Sequence, residues 1–393
     1  MEMKNKKILL LTLVHPDFLP PVYATGQVLR DHGLDVHILT FDSFVPAELD
    51  LGGNIVVETL GNHYSASLMD RMRLRTKFTN RAKELVDENP IAVITFCPFS
   101  FTCGLRIKKK IPLVYLVLEI ADFILPVFFN SPLSNLRNLI ALRNLHKANF
   151  VATPSIQRSA WLAGRCHLSF MPQTILNTAY LPEKEEVNDR EAYKALVPEH
   201  FLGKKVILYT GAVNEEHCIL ELVRAFDLVN DEESALVITG IKDNEYCNRI
   251  RKVVEKSNSE NRIKLLPYVT RAQMLSLQTN ANIGVCLSKE YQYNVRTKMI
   301  APNKVGEYLY KNLYILGLSS EYLKPLEMKG IASLSASNTP VELSKAIKKA
   351  LTAVNRDDLK GNIRTFVKEY YCMQHQLKPL VYYLNEIISL NSA

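Results

Sequence analysis

The sequence predicts an α/β protein made of two parallel-sheet, Rossmann-like units, and three observations carry that expectation. Short aliphatic and β-branched runs alternate with longer stretches of helical periodicity, the pattern left by parallel strands joined through crossover helices. The alternation occurs twice, on either side of a polar, acidic segment with two prolines, YLPEKEEVNDREAYKALVPEHFLGKK starting at Tyr180. A chain of 393 residues, 47% of them apolar, is long enough to bury two cores of ordinary domain size.

In the first half, strands are expected at Lys7 to Val14, Asp35 to Leu39, Ile55 to Leu60, Ala92 to Phe96, Leu113 to Leu118, Phe150 to Ala152 and, more weakly patterned, Leu168 to Met171. Val22 to Asp31 and Ala66 to Asp87 are the clearest helices between them. Residues 1–182 form the first domain, and the charged segment 183–204 is read as a linker. In the second domain, 205–358, strands are expected near Lys205 to Tyr209, Ser234 to Thr239, Ile263 to Leu266, Ile283 to Leu287, Tyr314 to Leu316 and Ile331 to Ser333. Helices are expected at Ile219 to Val229, Glu245 to Ser257, Arg271 to Gln278, Asn303 to Lys311 and Val341 to Val354. Residues 359–393 carry aromatics and aliphatics at helical spacing and read as C-terminal helices. No short repeat is present, which argues against a solenoid.

Composition narrows the class. Lys and Arg number 48 against 40 Asp and Glu, and an excess of 8 needs no explanation beyond solubility, so nucleic acid is not called for. Part of the excess is local, in RMRLRTKFTNRAK (Arg71 to Lys83) and RIKKK (Arg106 to Lys110), where an anionic membrane surface or lipid-linked acceptor would meet it. Seven cysteines, Cys97, Cys103, Cys166, Cys218, Cys247, Cys286 and Cys372, form no C-x-x-C pair and indicate reduced thiols in the cytoplasm. The apolar run after the basic start stops at His15-Pro16-Asp17 without a small-residue cleavage site, so it reads as a buried strand rather than a signal peptide. No run reaches the roughly 18 apolar residues of a spanning helix. No G-x-G-x-x-G follows the first strand, which excludes a dinucleotide-dependent oxidoreductase.

The stretch APNKVGEYLYKNLYIL, Ala301 to Leu316, carries the chemistry. Pro302 suits the first helical position, and the free N–H groups there offer a diphosphate an anion site. Lys304 and Glu307 are three apart and share a helix face, pairing an ammonium for phosphate with a carboxylate that accepts hydrogen bonds from vicinal hydroxyls. Gly306 between them points to a close approach to the backbone, and Asn312 suits a left-handed helix end.

This stretch resembles the P-N-K-x-x-E-Y segment of glycosyltransferase family 4, the group 1 glycosyltransferases. The likeness continues in VILYTGAVNEEHCILELVRAF (Val206 to Phe226), ALVITG (Ala235 to Gly240) and IKLLPYVTRAQMLSLQTNANIGVCLS (Ile263 to Ser288), in the same order. It implies a GT-B fold whose two domains face across a cleft, the first taking the acceptor and the second the nucleotide sugar, with part of the C-terminal helices crossing back to the first domain. It implies ribose binding by Glu307, and a diphosphate near Asn303, Lys304 and the loop containing Gly211 and His217. Departures accompany the likeness. Met299 stands where the family has the first glutamate of its pair, and Glu290 cannot be substituted for it; Ala212 and His217 replace an arginine and a lysine, so Arg296, Lys298 or Lys304 must supply the charge. Leu118 replaces a histidine at the end of the fifth strand, leaving Glu119 and Asp122 as candidates to orient an acceptor hydroxyl.

Together these readings describe a retaining glycosyltransferase of hexosyltransferase type. It would move a sugar from a nucleoside diphosphate to a carbohydrate or lipid-linked acceptor, in cell-envelope or capsular polysaccharide synthesis. No cofactor and no metal is expected, since no D-x-D pair stands at a matching strand end; the nucleotide sugar is a substrate. Location is expected in the cytoplasm, peripheral to the inner leaflet. A GT-B sugar-nucleotide epimerase and a degenerate member that binds nucleotide or glycan without transfer are the alternatives.

Overall fold

The computed structural model describes residues 6–42, 53–63, 66–118, 132–182, 190–289, 299 and 301–392. The chain divides into two compact units, Met1–Tyr180 with Cys372–Ala393, and Leu181–Tyr371.

The first unit runs β1 (Lys7–Leu11), α1 (Pro20–Asp31), β2 (Asp35–Thr40), β3 (Ile55–Thr59), α2 (Leu68–Asp87), β4 (Ala92–Thr95), α3 (Pro98–Ile107), β5 (Leu113–Leu116), α4 (Pro132–Arg143), β6 (Phe150–Thr153), α5 (Ile156–Arg165) and β7 (Gln173–Thr174). Its sheet has the order β3-β2-β1-β4-β5-β6-β7, and every pairing is parallel. β1, β4 and β5 are almost wholly buried because helices cover both faces, which is why they read as continuous apolar runs. The order reverses between β1 and β4.

The second unit runs α6 (Arg190–Leu196), β8 (Lys205–Tyr209), α7 (Ile219–Val229), β9 (Ser234–Ile238), α8 (Glu245–Val254), β10 (Ile263–Leu265), α9 (Arg271–Asn280), β11 (Ile283–Cys286), α10 (Asn303–Tyr310), β12 (Tyr314–Leu318), α11 (Lys324–Met328), β13 (Ala332–Ser335), α12 (Pro340–Ala353) and α13 (Leu359–Glu369). The parallel sheet has the order β10-β9-β8-β11-β12-β13. Local chemistry sets its helix ends: Asn244 caps α8, Thr270 and Gln273 form a reciprocal capping box on α9, and Thr339 caps α12. Asn230 and Asn312 take left-handed conformations just past α7 and α10, at φ 49° and 62°.

The last helices, α14 (Met373–Gln376) and α15 (Lys378–Ser392), belong to the first unit. Met373, Leu377, Leu380 and Leu384 enter its core beside Val28, Leu29, Ile175 and Tyr180. Each such side chain contributes about 1.5–3 kcal/mol by leaving water. Met373 N–H also donates to the Ala179 carbonyl at 2.9 Å, stitching the returning chain to the end of the unit's first segment.

Three expectations are corrected. No strand forms at Leu168 to Met171, where Phe170 and Met171 are 38% and 49% exposed; pairing with β6 starts instead at Gln173. The segment read as a linker contains α6 and a 3-10 turn at Glu199–Phe201, and packs as part of the second unit, with Tyr193 and Phe201 buried. Pro302 is the residue before α10, not its first helical residue. Among the described residues no helix is long and apolar enough to cross a membrane.

Candidate functional site

Open parallel sheets bind ligands outside the carboxyl ends of their strands, where the strand order reverses. In the second unit that point lies between β8 and β11. β8 ends at Tyr209 and passes into Thr210 and Gly211; β11 ends at Cys286. α10 is held against these ends by Tyr308, whose hydroxyl accepts from the Thr210 N–H at 2.9 Å and meets the Thr210 hydroxyl at 3.0 Å. Gly284 makes room for that ring, since a Cβ there would stand 2.3 Å from a Tyr308 ring carbon. The helix start is thereby fixed over the strand ends.

Lys304, in the first turn of α10, reaches into this point. Its ammonium nitrogen is shielded from solvent and has no hydrogen-bond partner among the described residues, although part of its stem is exposed. It lies 4.0 Å from the centroid of the Tyr209 ring and 3.4 Å from where a Cβ would stand on Gly211. Burial pushes its pKa down to about 8, against opposing pulls from Cys286 and Glu307. It is therefore still protonated at neutral pH. The Tyr209 ring offsets part of the desolvation cost, by about 1–2 kcal/mol for a buried cation over an aromatic face. A buried ammonium held this way attracts an anion strongly.

The loop after β8 forms the other wall. Gly211 takes φ +122°, and Gly240 takes φ +92° with its Cβ position only 2.0 Å from the Gly211 carbonyl oxygen, so neither position tolerates a side chain without moving the loop. Tyr209 donates to the Ala212 carbonyl at 2.5 Å. The Asn214 side chain accepts from the His217 N–H, and Cys218 turns through φ 52° into α7. The His217 ring is half-buried and meets the Leu287 carbonyl through Nδ1 at 3.2 Å. A carbonyl only accepts, so Nδ1 carries the proton in that contact. Glu215 pairs instead with Arg249 of α8.

Glu307 lies one turn beyond Lys304 and is 7% exposed. One carboxylate oxygen is paired with the Arg271 guanidinium, and the other accepts from Gln278 at 3.4 Å, both residues on α9. The ion pair was not legible in sequence, because Arg271 is 36 residues away. An ionised carboxylate has about four lone-pair sites, so these two bonds leave acceptor capacity for a hydroxyl pair.

Of the residues singled out from sequence, Gly211, His217, Asn303, Lys304 and Glu307 gather around this one point or on the helix that serves it. Glu119, Asp122, Arg296 and Lys298 lie outside the described residues. Met299, in the register of the absent glutamate, is buried. A cavity of about 590 Å³ opens at the amino ends of β11 and β12 of the same sheet, lined by Asn282, Asn312, Arg356, Lys360 and Arg364. Asn282 and Asn312 precede β11 and β12, so that cavity is remote from the strand ends where this fold places ligands.

No family model and no curated protein matches the chain. Solved structures do. Sucrose-phosphate synthase from Thermosynechococcus elongatus aligns with a TM-score of 0.68 at 16% identity, over 98% of this chain and 100% of that one. HepE from Anabaena, solved in complex with UDP and glucose, aligns at 0.64 and 14% identity, over 97% and 100%. The α,α-trehalose 6-phosphate synthase of Burkholderia multivorans aligns at 0.65 and 11% identity, over 99% and 100%. At these identities the likeness establishes the fold: two parallel-sheet units of the GT-B type.

Proposed function

We propose that the protein is a retaining glycosyltransferase that moves a sugar from a nucleoside-diphosphate donor to a carbohydrate or lipid-linked acceptor, in cell-envelope or capsular polysaccharide synthesis. The observation that carries this reading is the buried Lys304 ammonium, without a hydrogen-bond partner among the described residues, at the strand-order reversal of the second unit. In transfer, the bond from the sugar's anomeric carbon to the diphosphate oxygen breaks, and a bond to the acceptor oxygen forms on the same face of the ring. The acceptor hydroxyl's proton passes to the departing diphosphate oxygen, so the products are the glycoside and the nucleoside diphosphate. Negative charge grows on the departing diphosphate, and Lys304 with the N–H groups at the start of α10 lies where it would stabilise that charge. A fixed cation can take this role without a divalent metal. Glu307, held by Arg271 and Gln278, is assigned the ribose hydroxyls, and Asn303 and Gly211 the diphosphate surroundings. That UDP-bound HepE and a UDP-forming synthase share the fold makes UDP the first donor nucleotide to try.

A second reading, nucleotide binding without transfer, is favoured by the loop after β8, which offers Ala212 and a carbonyl-tethered His217 where the resembled family has arginine and lysine. Product analysis separates the two. Incubation with UDP-sugars and a panel of glycan acceptors should release UDP and give a glycoside of unchanged anomeric configuration; UDP binding with neither hydrolysis nor transfer supports the second reading.

A further inference from the structure

The cavity at the amino ends of β11 and β12 has no part in the donor site, and its walls come from the turns that follow three helices. α9, α10 and α12 end at its rim, and α13 starts there. Asn282 is fixed in the wall, because the Val206 N–H donates to its side-chain oxygen at 2.8 Å. That bond sets the orientation of the amide and leaves its nitrogen, with two protons to donate, without a partner among the described residues. On the next turn Asn312 takes φ 62°, and its side-chain oxygen has no hydrogen-bond partner among the described residues. Tyr310 adds an aromatic wall, its ring held by the Lys311 ammonium at 4.8 Å from the centroid.

The charged groups of the wall fall into two sets. Arg356 is engaged within the protein, pairing with Asp358 and donating to the Gly330 carbonyl at 3.2 Å. Lys360 and Arg364, one turn apart on α13, form no ion pair among the described residues, and neither does Asp357. Each helix carboxyl end carries a partial negative charge of about half a unit. Three such ends and Asp357, against a single helix start, offset most of the excess from Lys311, Lys360 and Arg364. A free anion therefore gains little here. What the wall does offer is donors beside acceptors: Asn282, Lys360 and Arg364 donate, while Asp357 and Asn312 accept. A hydroxyl does both at once.

We infer that this cavity is a second binding site, which takes a neutral oligosaccharide on the face of the second unit opposite the donor site. Vicinal hydroxyls match the mixed donors and acceptors, and the C–H face of a sugar ring packs on an aromatic side chain such as Tyr310. A volume of about 590 Å³ suits a ligand of several rings rather than a single ion. α10 separates the two sites: Lys304 is in its first turn and Tyr310 is its last residue, and eight helical residues span about 12 Å. The inference goes beyond the transferase reading and does not depend on it, since a protein that binds nucleotide without transfer would hold a glycan here equally well. In a transferase the site would keep a glycan chain at the enzyme and raise the effective concentration of its reacting end.

The full chain is titrated by calorimetry with maltotriose, cellotriose, chitotriose and mannotriose, four neutral trisaccharides of different linkage or stereochemistry, and with inorganic phosphate, each with and without UDP. At least one trisaccharide should bind, with the same affinity in the presence of UDP, and Arg364→Ala and Asp357→Ala should each weaken that binding at least about tenfold. The inference is overturned if none of the four binds, if UDP abolishes the binding, or if either folded variant binds the trisaccharide as the wild type does. Phosphate bound in place of any trisaccharide, and weakened by Arg364→Ala, would make the cavity an anion site and overturn it equally. UDP binding is measured in the same samples, so a failure of the donor site is seen separately from the result for the cavity. Both side chains are exposed and leave little packing behind, and one variant carries the test should the other fail to fold.

Discussion

Lys304 makes the sharpest demands at the level of single residues. In the folded protein it gives up its proton near pH 8, whereas its ordinary value is 10.5. Between those values the unfolded chain holds more protons, so stability without ligand should rise with pH across that window. Lys304→Met should remove the rise and stabilise the free protein by about 2–4 kcal/mol at pH 7, since each pKa unit is worth about 1.4 kcal/mol. Urea titrations at pH 7 and pH 10 check both statements; an unchanged pH slope in the variant would show that Lys304 is not the titrating group. A diphosphate prefers the protonated lysine, so UDP affinity should fall as pH rises past 8. Glu307→Gln is expected to weaken nucleotide binding by roughly 1.5–3 kcal/mol. It should also lower stability by about 3 kcal/mol, because Arg271 loses a largely buried counter-charge. Unchanged nucleotide affinity in that variant would take Glu307 out of the site. Sequence reasoning paired Lys304 with Glu307 by helical spacing, but that the ammonium is buried over Tyr209, and the carboxylate already held by Arg271, depends on contacts far apart in the chain.

At the level of elements, two glycines set how closely the pieces approach. Gly240→Ala would drive a Cβ into the Gly211 carbonyl from a backbone conformation that already disfavours side chains, so the loop after β8 must move. UDP affinity should fall at least about tenfold, with stability reduced by about 1–3 kcal/mol; wild-type affinity would show that this loop does not touch the nucleotide. Strands were legible because both faces of each sheet are covered, and most observed strands lie within two residues of the expected ones. β7 was missed because its two residues carry no apolar run, while Leu168 to Met171 carries one at the surface. α3, α4 and α5 were not located individually: α3 is buried at most of its positions, polar Ser100 and Thr102 among them, and α4 has no clear apolar face, so neither shows strong amphipathic periodicity. On α2 the basic residues read as one surface band, yet Arg75 is half-buried and Arg81 is spoken for by Glu58.

For the molecule as a whole, the return of α14 and α15 makes the first unit discontinuous in sequence. A chain ending at Tyr371 should lose the core contacts of Met373, Leu377, Leu380 and Leu384, each worth about 1.5–3 kcal/mol, and unfold or aggregate. A truncated protein that melts like the full chain would contradict that packing. The two-unit architecture followed from length and from the repeated strand and helix pattern, whereas donor, acceptor and linkage have no such periodic signature. The central claim is that the second unit binds a nucleoside diphosphate through Lys304, and thermal unfolding of the full chain with and without UDP, for wild type and Lys304→Met at pH 7, tests it most directly. UDP at a hundredfold its dissociation constant should stabilise the wild type by about 2.7 kcal/mol, with EDTA leaving the shift intact, and the variant should lose most of it. No stabilisation by UDP, ADP or GDP, or an equal shift in the variant, would contradict the account.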